Sequence, residues 1–156
     1  MTSAREGGGS LVAGFLFAFA VVVMPGIKSL DDVSFIRAFQ VIDRVIQNNQ
    51  PLFVWVGSGL AVVVAALMSL WTLTGVDRLL AIIAALVYLF GVQLPKIMVN
   101  VPLNNQLQRL EVMTLSETTR QHARAAFEPH WNRSNAFRTI CATLTTVLLP
   151  LLLLRL

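Results

Sequence analysis

Apolar residues run through this chain in four long blocks, 8–27, 52–76, 79–101 and 130–154, the third interrupted by Lys96 and the last almost free of charge beyond Arg138. Each block has the length that a hydrocarbon core of roughly 30 Å requires of a crossing helix. The step Gly75-Val76-Asp77-Arg78 separates the second block from the third with a helix-stopping glycine and a charge pair. Between the blocks the pattern becomes amphipathic. Val33, Ile36, Phe39, Ile42 and Ile46 recur at helical spacing with Arg37, Gln40, Asp43, Arg44 and Gln47 among them, which predicts a helix over 32–48. Asp31 or Asp32 caps its start, and Asn48, Asn49 and Pro51 end it. After a stripe of Leu103, Leu107 and Leu110, Ser116 is positioned to cap a second short helix over 116–127. The expected fold is an all-α membrane protein, a four-transmembrane-helix bundle with two amphipathic loop helices on one side. It forms one domain over 1–156 with a polar tail at 1–7.

Composition agrees: 56% of residues are hydrophobic and 13% charged, with a mean hydropathy of +0.71. Arg5 ahead of an apolar run resembles a secretory leader, but no small-x-small cleavage pattern follows, only Met24-Pro25-Gly26-Ile27-Lys28, so a retained span is expected. The single Cys141 excludes a disulfide or a cysteine metal cluster within one chain. Arg5, Arg78 and Arg155 flank the short-loop side, against nine Lys or Arg on the other side. The positive-inside rule therefore places the long loops in the cytoplasm, in a protein expected in the cell membrane. Pro25 to Pro51 and Pro102 to Pro129 enclose similar lengths of chain, a faint echo of duplication with slight side-chain identity.

Candidate chemistry gathers at one depth. Trp131, Asn135 and Arg138 share a face of the fourth span, continued by Ala142 and Thr145. Gln93, Lys96 and Asn100 form a matching stripe on the third, with Asn104 beyond. Ionisable groups inside a membrane are costly, so two facing polar stripes mark a functional site, although Lys96 and Arg138 taken singly also suit snorkelling to headgroups. Pro102 and Pro129 are expected to break their helices and free carbonyls, which Asn105 and Asn132 can satisfy, while Asn100, Asn104 and Asn135 divide between that use and lining a cavity. His122 and His130 lack metal-ligand spacing, so no metal is expected. His130 is a candidate general base, and Trp131 also suits an interfacial belt.

The segments "NVPLNN" at 100–105 and "HWNRSNAFRT" at 130–139, with "FAFAVVVMPGI" at 17–27 and "AFQVIDRVIQNNQPLF" at 38–53, resemble the anthrone oxygenase-like family of small four-helix membrane proteins. The resemblance covers nearly the whole chain from Gly14 onward, and its signature falls on Met24, Pro25, Asn100, Pro102, Asn104, Trp131, Asn135 and Arg138. It implies a bundle whose long loops cap one end and, for some fungal members, oxidation of a polycyclic anthrone to an anthraquinone with molecular oxygen. Lys96 departs from a pattern that has apolar or hydroxyl residues there, and bears on whether the pocket takes a flat neutral aromatic. Two classes of function remain open. One is a cofactor-light oxygenase or oxidoreductase acting on a lipophilic anthrone, phenol or quinone-like molecule. In it Arg138 and Lys96 would stabilise an oxyanion, Asn100, Asn104 and Asn135 would orient the substrate, His130 would act as base, and Trp131 would stack on the rings. Gln93 and Met24 complete the expected substrate-binding set; no cofactor is called for, and oxygen is the co-substrate. The other is a non-catalytic small membrane subunit or a module binding lipid or a hydrophobic ligand. The expected partners are the lipid bilayer and a lipophilic small molecule, with room for a homo-oligomer or a membrane partner subunit and none for nucleic acid.

Overall fold

A computed structural model describes residues 7–49 and 52–155, and every regular element among them is helical. Most of the polar tail at 1–7 and the expected helix-ending Pro51 lie outside the described residues. The chain opens with α1 (Gly7–Ala18), passes through a π-helical turn at Phe19–Val23, and ends its first rod in α2 (Met24–Lys28). The amphipathic α3 (Asp32–Asn49) and the apolar α4 (Leu52–Thr72) follow. A third rod combines α5 (Gly75–Tyr88), π turns at Leu89–Gln93 and Lys96–Asn100, and α6 (Val101–Gln108); α7 (Glu117–Leu153) closes the bundle. Four of these rods are long and apolar enough to cross a membrane, which makes this an all-α membrane bundle.

Local chemistry accounts for the boundaries. The Asp31 carboxylate accepts from the Ser34 amide at 3.0 Å to start α3, and that bond holds its pKa below the ordinary value. The Ser116 hydroxyl accepts from the Thr119 amide at 3.2 Å to start α7. Gly75 takes a φ of 53°, the left-handed conformation that lets α4 turn directly into α5.

The prolines correct the expectation. Pro102 and Pro129 do not break the chain into separate spans and loop helices: the third rod runs Gly75–Gln108 and the fourth Glu117–Leu153, with Pro129 inside it. At 34 and 37 residues these rods reach about 51 and 55 Å, so they cross the hydrocarbon and project well beyond it. Each π turn ends two residues before a proline, at Val23, Gln93 and Asn100, ahead of Pro25, Pro95 and Pro102. A proline removes one amide and crowds the carbonyl a turn earlier. The wider turn lets Met24, Leu94 and Val101 donate to Phe19, Leu89 and Lys96, five residues back, and the rod continues.

α7 is the central element and packs on α1, α3, α5 and α6. Along it Trp131, Asn135, Arg138, Ala142 and Thr145 are buried, while Phe137, Ile140, Leu144, Val147 and Leu151 form an exposed apolar stripe suited to lipid. Packing beneath that stripe is close. A Cβ at Gly91 would stand 2.5 Å from Cys141 Sγ and 2.7 Å from its Cβ. Gly91→Ala is therefore expected to lower stability in detergent by about 1–3 kcal/mol, with partial recovery on adding Cys141→Gly. Thermal unfolding checks this, and a wild-type midpoint for Gly91→Ala would show that the rods have slack there. A second core, beyond the apolar stripe, is aromatic: Phe39 stands 4.6 Å from Phe127 and 5.6 Å from Trp131, and Phe19 stands 5.7 Å from Trp131.

Candidate functional site

The two π-bearing rods, α3, the start of α4 and α7 leave a partly open cavity of about 350 Å³ among them, at one edge of the apolar stripe. Phe15, Phe19, Phe39, Trp55 and Trp131 supply aromatic wall; Asp43, Lys96, Asn100, Asn104, Asn135 and Arg138 supply the polar groups. A mostly apolar wall with a few convergent polar groups has the chemistry that suits a small molecule.

Its charges are unevenly compensated. Arg138 is 3% exposed; its Nε donates to the Val92 carbonyl at 3.1 Å, inside a π turn, and its terminal nitrogens have no hydrogen-bond partner among the described residues. Lys96 Nζ lies 3.5 Å from the centre of the Trp55 ring, and the Arg138 guanidinium 5.6 Å from it. Among the described residues neither cation is within ion-pair distance of a carboxylate. Asp43, 4% exposed, is instead held by neutral donors: Gln47 at 2.6 Å, Asn104 at 2.8 Å and Gln108 at 3.0 Å. Asn104 accepts in turn from Trp131 Nε1 at 2.7 Å, so an indole, an amide and a carboxylate form one chain across the cavity wall. Two further atoms are fully occluded without partners. Ser134 donates to Asn100 Oδ1 at 2.7 Å and Asn135 Nδ2 donates to the Leu16 carbonyl at 3.1 Å, leaving Asn100 Nδ2 and Asn135 Oδ1 unpaired.

Of the residues singled out from sequence, Lys96, Asn100, Asn104, Trp131, Asn135 and Arg138 come together around this space. Gln93 stands behind it, donating to the Trp55 carbonyl at 3.0 Å and lying near Ser58 and the Tyr88 hydroxyl, where it steadies Trp55. Met24 is buried in the aromatic core and does not reach the cavity. His130 is exposed, with Nδ1 3.0 Å from the Ala126 carbonyl. As the helical neighbour of Trp131, His130 is turned about 100° from the Trp131 stripe and faces away from the cavity. The expected role of amide side chains at proline-freed carbonyls is also absent: Asn105 lines the cavity, and Asn132 makes no hydrogen bond among the described residues.

Asp43 and Trp55 escaped the sequence reading. In sequence Asp43 reads as one of the polar positions of α3, yet Ile36, Phe39, Asp43 and Ile46 follow one another at helical spacing, so a carboxylate sits on the buried stripe. Trp55 lies at the start of a span, and only the tertiary arrangement brings two cations to its ring.

The class these features define is an integral membrane four-helix bundle with a polar, cationic cavity at the edge of its apolar band. Residues 39–148 match the family model described as Anthrone oxygenase, which covers well over half the chain, and the protein belongs to that family. No curated protein and no solved structure matches it.

Proposed function

We propose that the protein is an oxygenase that converts a lipophilic anthrone or related phenolic substrate to the quinone with molecular oxygen. The observation that carries this reading is the pair of cations, Lys96 and Arg138, facing an aromatic-walled cavity with no carboxylate within ion-pair distance of either among the described residues. An anthrone is acidic at its benzylic methylene, and loss of that proton yields an enolate whose charge resides on oxygen. Arg138 and Lys96 stabilise that oxyanion. Asp43 replaces His130 as the base, since three of the roughly four lone-pair positions of its carboxylate are taken by amides and one is left to receive the proton. The anion passes electrons to oxygen and a carbon–oxygen bond forms to give a hydroperoxide. Loss of the second methylene proton with cleavage of the oxygen–oxygen bond releases water. One anthrone and one dioxygen thus become one anthraquinone and one water. The excess of Lys and Arg on the long-loop side supports a cytoplasmic opening.

The test is purified protein in lipid nanodiscs with a dihydroxyanthrone, following oxygen uptake and quinone absorbance together. Quinone forms faster than without protein, and Asp43→Asn lowers the rate by about 100-fold or more. Quinone formation at the uncatalysed rate would remove the proposal.

A further inference from the structure

A second cleft, of about 370 Å³, adjoins the cavity and shares Gln47 and Asn105 with it. Its remaining lining is Arg44, Asn48, Gln108 and Arg109, so it contains no apolar side chain and two arginines. Neither arginine forms an ion pair or a side-chain hydrogen bond among the described residues. Asp43, a carboxylate in the wall of the adjoining cavity, is turned to the Gln47, Asn104 and Gln108 amides, which leaves the two guanidinium groups to whatever enters. An aromatic chamber therefore lies beside a cationic cleft, with the Gln47 and Asn105 amides common to both.

From this adjacency we infer that the natural ligand is an aromatic acid: its rings occupy the cavity and an acidic group on the same molecule reaches Arg44 and Arg109. The inference rests on the cavity being the substrate site. It explains why the polar end of the site is built from arginine, whose planar fork suits a carboxylate, and it gives a lipophilic substrate a fixed direction of entry, rings first. The two cations deeper in the cavity serve a different oxygen, the one on the ring system.

Binding of product-like probes tests this without turnover. Protein in nanodiscs of zwitterionic lipid is titrated with unsubstituted anthraquinone and with a ring-carboxylated anthraquinone, reading quenching of tryptophan fluorescence. The acid binds about tenfold more tightly, this advantage shrinks with added salt, and the double variant Arg44→Gln, Arg109→Gln abolishes it while the neutral quinone binds as before. Equal affinity of the two quinones, or equal weakening of both in the variant, overturns the inference and leaves the oxidation reading standing. Failure of both quinones to bind overturns the two together. Loss of the acid's advantage when phosphatidylglycerol is included in the nanodisc assigns the arginines to a lipid headgroup and also overturns it.

Discussion

Arg138→Met is expected to lower the rate of quinone formation by about 100- to 1,000-fold while the protein unfolds within a few degrees of wild type. The two halves of this expectation have separate causes. In the reaction, the guanidinium meets negative charge that exists only once the methylene proton has left, so its loss falls on the rate of the chemical step and little on binding of a neutral substrate. In the resting protein the same group is a buried cation that has, among the described residues, no counter-ion and one side-chain hydrogen bond, to the Val92 carbonyl. Removing it frees that carbonyl, at a cost of about 1–3 kcal/mol, but also relieves a desolvated charge, and methionine refills much of the volume. The opposing terms are similar in size. A residue that merely fastened α7 to the third rod would behave in the opposite way, with a large drop in unfolding temperature and activity retained in the surviving folded fraction. Thermal unfolding and initial rates on the same preparations separate the two.

Hydropathy located the four rods because lipid-facing stripes such as Phe137, Ile140, Leu144 and Val147 have no other explanation in a chain this apolar. The inward stripe of α7 was equally legible, since Trp131, Asn135 and Arg138 obey helical spacing whatever they touch. Proline misled. Local rules treat Pro102 and Pro129 as ends, whereas within a packed rod a π turn, or the neighbouring helices, absorb the missing amide, and the helix continues. Asp43 was obscured for another reason: a carboxylate among Arg37, Gln40 and Arg44 looks solvated until α6 and α7 bring Gln108, Asn104 and Trp131 to its side of α3, and those partners lie more than 60 residues away in sequence.

The cavity depends on α3 being held against α7, and one side chain does most of the holding at the exposed end. Arg124 Nη1 donates to the Leu30 carbonyl at 2.7 Å and to Asp32 at 3.0 Å, Nη2 to the Lys28 carbonyl at 2.7 Å, and Nε to Glu128 at 2.9 Å. The guanidinium also lies 4.3 Å from the centre of the Phe35 ring. It therefore ties the end of α2 and the first turn of α3 to α7 in a single planar group. Arg124→Ala removes all four bonds and leaves Asp32 and Glu128 without their cation, so a loss of about 3 kcal/mol is expected in equilibrium unfolding. Arg124→Lys keeps the charge but cannot reproduce the fork, and is expected to recover less than half of that loss. The damage extends to the site, because a loosened α3 carries Asp43 and Gln47 with it: hydrogen exchange rises over residues 28–36, and quinone binding weakens although Arg124 touches no part of the cavity. Exchange rates at wild-type level over that corner in Arg124→Ala would show that the aromatic core of Phe35, Phe39 and Phe127 holds α3 in place without the clamp.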